Sequence, residues 1–228
     1  GMAVDGQGNI YVVGYCRAGT RFDSASGSGG SNITRNDVAG NDTGFLAKYL
    51  PSGRLDWVRL LDSPGNSDVA TAVAVDANDR VFVAGFFESS NLTLESDTTQ
   101  TAGSLGIGSN GERLYVAEYS VGGRHLNHWR FGGDAGNASS QQKVGNMVID
   151  GQKIVVCGWH QGNLRRPNGS IWTGGGNGGA RAGYAAAFDK SGNPMWARTL
   201  AIDSGGENDV HDVAIDETGD VLVAGLSS

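Results

Sequence analysis

The apolar residues of this chain fall in short runs, and the runs recur in the same order. "MAVDGQGNIYVVG" from Met2, "VAVDANDRVFVAG" from Val73, "MVIDGQKIVVCG" from Met147 and "VAIDETGDVLVAG" from Val213 each join two runs of β-branched and aromatic residues through a turn. Two such runs separated by Gly, Asn and Asp predict a β-hairpin. The second run is apolar at every position, as in "VFVAG" (81–85), instead of alternating with polar residues. That pattern predicts a strand covered on both faces. A third run follows as "FLAKY" (45–49), "LYVAEY" (114–119) and "YAAAF" (184–188). A fourth, "LPSGRLDWVRL", "SVGGRHLNHWRF" and "DKSGNPMWARTL", places Trp57, Trp129 and Trp196 at one equivalent position.

The spacing makes these runs into units. Asp5, Asp76, Asp150 and Asp216 stand 71, 74 and 66 residues apart, and Gly14, Gly85, Gly158 and Gly225 stand 71, 73 and 67 apart. Four short strands per unit is the content of one propeller blade. The predicted fold is therefore all-β: a single β-propeller domain over residues 1–228 built from four-stranded antiparallel blades. Its units cover about 2–72, 73–146 and 147–212, with a half unit at 213–228. Each motif aspartate is expected to accept a hydrogen bond from the backbone two residues on. The repeated tryptophan is expected to anchor one blade on the next, with Ala47, Ala84, Gly85, Ala117 and Ala186 letting sheets approach closely.

The combination "AVDGQGNIYVVGY", "FLAKYLPSGRLDWVRLL" and "GNSDVATAVAVD" resembles the bacterial β-propeller repeat family usually called SBBP. The resemblance covers three full units and the first half of a fourth. It implies a repeat scaffold of a secreted or surface-attached bacterial protein, hence an extracellular or cell-surface location. Unit three departs from the pattern, because "DGQKI" lacks the turn Gly-Asn pair.

Composition narrows the picture further. At 39% apolar residues the chain can bury a sizeable core, and its 38 glycines argue for many turns and against long helices. No run of eighteen apolar residues exists, so no helical membrane span is expected. The net charge of -7, from 24 acidic and 17 basic residues without a long block of either sign, disfavours nucleic acid as a partner. Cys16 and Cys157 stand on opposite sides of the repeat glycine, on strand faces that oppose, so no disulfide is expected. No leader is visible, and Gly1 directly before repeat sequence at Met2 reads as a cut boundary.

The units are longer than ordinary blades, and the excess sits in one place. Between the repeat glycine and Phe45, Tyr115 and Tyr184 lie 30, 29 and 25 residues rich in Gly, Ser, Thr and Asn. Insertions at one point of each blade are expected on one face of the disc, where binding residues concentrate. The third carries Trp159, His160, Arg165, Arg166, Trp172 and Arg181. Such side chains offer stacking faces and bidentate donors to a carbohydrate or a protein partner. On the competing reading the tryptophans pin the loop to the blade and the arginines are solvated. Under the binding reading, Trp172→Ala leaves folding nearly unchanged.

Metal and catalytic signatures are sparse. The aspartate ring, "GNSDVATA" and "GENDVHDVAID" could hold calcium, but turn capping explains the aspartates more simply, and no other cofactor is expected. His125 and His128, three apart on a strand, are expected on opposite faces, which argues against a shared metal. HExxH, CxxC, GxSxG and the phosphate-loop pattern are absent, and "GGGNGG" from Gly174 lacks the strand-to-helix context of a dinucleotide site. His211 beside Asp212 forms no triad by sequence order. The expected role is a non-catalytic scaffold or binding module. The competing class is a carbohydrate-active hydrolase or lyase with convergent carboxylates at the channel mouth. Three and a half units also leave the ring open. A fragment whose open faces pair, a homodimer completing one ring, and a small four-bladed ring each resolve this, and self-association is the expectation.

Overall fold

The computed structural model of the chain describes residues 1–26, 30, 32–35, 42–63, 67–88, 91–97, 103–106, 112–133, 141–174, 180–200 and 207–227. Among the described residues there are twenty β-strands and no helix. Numbered in chain order, β1 (Met2–Val4), β2 (Ile10–Cys16), β5 (Thr43–Tyr49) and β6 (Leu55–Asp62) lie side by side in the first sheet. The second is β7 (Asp68–Val75), β8 (Val81–Phe87), β11 (Arg113–Tyr119) and β12 (His125–Phe131). The third repeats that order with β13 (Gln142–Asp150), β14 (Lys153–His160), β17 (Ala182–Asp189) and β18 (Pro194–Leu200), and a hairpin of β19 (Asn208–Ile215) and β20 (Val221–Ser227) follows. All pairings between these strands are antiparallel. The first strands β7, β13 and β19 begin five residues before the repeat motif and pack against one another from sheet to sheet.

Burial explains the unbroken apolar runs. All seven residues of β8 are buried, and they alternate between two cores. Val81, Val83 and Phe87 face Tyr11, Val13, Leu46 and Trp57 of the first sheet. Phe82, Ala84 and Phe86 face Met147, Ile154, Val156, Tyr184 and Phe188 of the third. Strand β11 divides in the same way, with Tyr115, Ala117 and Tyr119 turned to the first sheet and Leu114 and Val116 to the third. The third sheet then shares a further cluster, including Val155, Cys157 and Ala187, with Val210 and Val213 of β19. A large apolar side chain stabilises by about 1.5–3 kcal/mol when removed from water, so each sheet's stability depends on its neighbours.

The tryptophans sit at these interfaces. Trp57 and Trp129 are 7% and 6% exposed, and each indole covers the turn before the outer strand of the following unit. A Cβ on Gly123 would stand 2.9 Å from the Trp57 ring, and one on Gly192 would stand 2.6 Å from the Trp129 ring. Both glycines also have left-handed backbone, φ 79° and 85°, so the turn needs glycine twice over. The Trp57 Nε1 donates to the Val121 carbonyl at 3.2 Å, and the Arg59 Nε donates to the Gly123 carbonyl at 2.8 Å.

The repeat glycine has a different cause. β7, β13 and β19 each carry a bulge opposite β8, β14 and β20, at Ala70/Ala72, Val144/Asn146 and Val210/Asp212. The bulged strand pushes a carbonyl toward the glycine. A Cβ on Gly85, Gly158 or Gly225 would lie 1.9, 2.0 or 2.1 Å from the carbonyl oxygen of Val69, Lys143 or Asp209. β1 pairs regularly with β2, and at Gly14 the nearest atom is a Phe45 ring carbon at 3.0 Å.

The aspartate turns form as the motif dictates in three units. Asp5 accepts from the Gln7 and Asn9 amides, Asp76 from Asn78 and Arg80, and Asp216 from Thr218 and Asp220, all at 2.9 Å. Unit three instead turns tightly through Gly151 at φ 52°, with Asp150 opposite Lys153 in the ladder.

The insertions leave the sheets at the end opposite these turns, since Cys16 pairs with Thr43 and His160 with Ala182. They then fold back over the outer strands. The hairpin of β9 (Asn91–Leu94) and β10 (Gly103–Gly106) extends the first sheet by pairing with β6, Leu61 opposite Leu94. The hairpin of β15 (Leu164–Arg165) and β16 (Ile171–Thr173) receives the Gly132 amide on the Arg165 carbonyl at 2.8 Å, next to β12. That of β3 (Thr20–Phe22) and β4 (Ile33–Arg35) places Phe22 and Ile33 on Leu55, Val58 and Leu60 of β6. The described hairpins thus line the outer rim.

Gly85→Ala and Gly158→Ala should each lose about 3 kcal/mol, because the new methyl meets fixed backbone, whereas Gly14→Ala should lose less than about 1 kcal/mol. Urea unfolding followed by tryptophan fluorescence measures the difference.

Candidate functional site at the insertion end of the sheets

The structure places the six candidate residues around the start of the third insertion and its return. Trp159 and His160 end β14, and Arg181 immediately precedes β17. The Arg181 guanidinium lies over the Trp159 ring, 4.2 Å from its centroid. Its Nη1 is also 3.4 Å from Glu207 and 3.5 Å from Asp209. The other four are each held by their own surroundings. His160 is fully buried, edge-on to Tyr184, with Nδ1 3.1 Å from the Gly162 carbonyl and Nε2 unpartnered. Burial pushes its pKa down to about 4. Arg165 donates to the Gly169 carbonyl at 2.8 Å, and Arg166 to the Ile171 carbonyl at 3.1 Å, within their own turn. Trp172 stands edge-on to Phe188 at 5.0 Å and packs on the core between the second and third sheets. The expectation that Trp172→Ala spares folding is corrected by that contact, since removing the ring uncovers Phe188.

Repeat equivalence explains Arg181. It stands seven residues before Phe188, as Asp42 and Glu112 stand seven before Tyr49 and Tyr119. Each of the three joins a third strand to the first strand of the next unit. The Asp42 carbonyl accepts the Asp68 amide at 2.7 Å. Glu112 accepts the Gln142 amide at 2.6 Å and pairs with the Lys143 ammonium at 2.8 Å. Arg181 pairs with Asp209, the equivalent of Lys143. The second and third junctions therefore carry one ion pair with its charges exchanged, and Arg181 is a joining residue.

Sequence reasoning missed a row of polar side chains at the same junctions. Asp68, Gln142 and Asn208 open β7, β13 and β19 and are 0%, 0% and 2% exposed. Each has one buried polar atom without a partner: Asp68 Oδ1, Gln142 Nε2 and Asn208 Oδ1. The signal was present, because each stands eight residues before its motif aspartate. Burial pushes the Asp68 pKa up to about 7, against the hydrogen bond it receives from the Ser63 hydroxyl. Two of the three equivalents are amides, which exchange no protons, so what the three positions share is a buried polar side chain at a strand start.

One carboxyl pair does converge here. Burial and a hydrogen bond to Glu112 raise the Glu88 pKa, with Lys143 opposing. Two carboxyls within hydrogen-bond reach are what the competing enzyme reading calls for, and here the Lys143 ammonium also lies 2.8 Å from Glu112. Elsewhere, Cys16 and Cys157 are both buried, and burial pushes the Cys157 thiol up to about 12. Among the described residues no group of three or more His, Cys, Asp or Glu gathers to hold a metal, and no helix is long and apolar enough to cross a membrane.

The expected separation of His125 and His128 is corrected. A bulge at Glu118/Tyr119 sets Tyr119 opposite His125 and Glu118 opposite Asn127, skipping Leu126. The alternation shifts by one, and both rings fall on one face with centroids 5.0 Å apart.

No family model matches the chain. An uncharacterized WD repeat-containing protein, L264, of Acanthamoeba polyphaga mimivirus is 30% identical over 125 residues, 52% of this chain and 9% of that protein. The chain thus spans less than a tenth of the relative's length, and the likeness agrees with a repeat protein built of β-sheets.

Asp68 and His160 make opposite pH predictions. The raised Asp68 value means that its contribution is fully present below about pH 4 and is lost as pH rises through about 7. The lowered His160 value means that its contribution is present above about pH 6.5 and is lost as pH falls through about 4. Asp68→Asn should therefore raise stability by roughly 4 kcal/mol more at pH 8 than at pH 4. Urea midpoints at the two pH values measure this, and equal shifts at both would count against a buried neutral Asp68.

Proposed function

We propose that the chain forms an arc of a β-propeller and works as a non-catalytic scaffold that recognises protein. The observation that carries this reading is that three of the four apolar clusters are shared between consecutive sheets, with the corresponding rows exposed on the first and last described hairpins. Leu222 and Leu226, equivalent to the buried Phe82 and Phe86, are 55% and 70% exposed, and Met2 and Val4 are 68% and 55% exposed. Such rows fit another repeat unit, and a second copy of this chain supplies one when it is alone. The WD repeat-containing relative supports a repeat scaffold. The resemblance to the SBBP pattern supports a bacterial, secreted or surface-attached setting. A carbohydrate ligand at the Trp159–Arg181 pair is the narrower form of this proposal, since a stacked indole and guanidinium suit a sugar face as well as a peptide.

Light scattering across a tenfold concentration range tests the proposal. Wild type should associate, and Leu226→Asp should be monomeric and still folded, with a melting temperature that no longer depends on concentration. A wild-type chain that stays monomeric throughout would overturn pairing through these rows.

A further inference from the structure

The His125–His128 pair stands apart from the junction residues and has no part in the scaffold reading. It lies where β12 meets the β9–β10 hairpin of its own unit. His128 Nδ1 and His125 Nε2 face each other at 3.0 Å. A Cβ on Gly103 of β10 would stand 2.4 Å from the His125 ring, so glycine there lets the hairpin lie directly on the imidazole. The Tyr119 ring meets His125 edge-on at 5.7 Å, and the Ser96 hydroxyl accepts the His125 amide at 3.0 Å. The pair is thus fixed from three sides.

Two imidazole nitrogens at this separation have the bite of a cation ligand set. Ligands about 2.0–2.1 Å from a metal and 90–110° apart lie roughly 2.9–3.4 Å from each other. Each ring also has a backbone hydrogen bond, to Asn127 for His125 and to Ser104 for His128, of the kind that favours an N–H on the ring. Ligating histidines characteristically give their other N–H to such an outer partner, which fixes ring and tautomer. We propose that His125 and His128 bind an imidazole-preferring divalent transition metal, copper, nickel or zinc, which replaces the proton between them, with water completing the coordination.

Calorimetric titration of the untagged chain with copper(II), nickel(II) and zinc(II) at pH 7.5 tests this. One equivalent should bind for at least one of the metals. His125→Gln and His128→Gln should each weaken it at least tenfold, and His211→Gln, an exposed histidine on β19, should leave it unchanged. Proton spectra of wild type make the test independent of the variants' folding: substoichiometric copper should broaden the His125 and His128 ring signals first. No uptake with metal in large excess, or uptake with those two signals sharp, would overturn the site.

Discussion

The contact between a tryptophan on one outer strand and the glycine turn of the next unit shows in miniature what holds this protein together. Trp57 seals Gly123 and Trp129 seals Gly192, and behind each indole lies a core to which both sheets contribute alternate residues. A strand such as β8, buried on both faces, has no solvent side to spare. Removing any one unit therefore exposes apolar rows on its neighbours. This is nearest-neighbour stability, in which each repeat is held by its interfaces more than by itself.

The polar chemistry follows the same geometry. Each unit hands over to the next at the insertion end, where Asp42, Glu112 and Arg181 meet the start of the following first strand. Glu112–Lys143 and Arg181–Asp209 fill one position with exchanged charge, whereas the first junction has Val69 there and joins through the Asp42 carbonyl. At the opposite end, the turns are linked across units by Gln7 to Asp79 and Lys190 to Asp76. The insertion hairpins add a third tie, because β9 pairs with the outer strand of the preceding sheet.

The four repeat strands of each unit and the anchoring Trp57 and Trp129 were legible because they depend on local pattern, apolar runs, turn residues and a fixed period, whereas the six hairpin strands of the insertions, read as loops, were not. The rest depends on contacts that pattern does not encode. The bulges that make Gly85 and Gly158 obligatory arise from pairing between strands, and so does the one that brings His125 beside His128. The recognition chemistry read into the third insertion was mostly taken up by the fold itself. Arg165 and Arg166 bond their own turn, Trp172 packs on Phe188 and His160 is enclosed. Only the placement of these side chains against neighbouring sheets distinguishes a joining arginine from a binding one.

The central claim, that the sheets share their cores, is tested most directly by hydrogen exchange on Trp129→Ala. Trp129 belongs to the second sheet but covers the turn and core of the third. Shared cores predict faster amide exchange in β14 and β17 as well as in β11 and β12. Acceleration confined to β11 and β12, with β14 and β17 as protected as in wild type, would contradict the account.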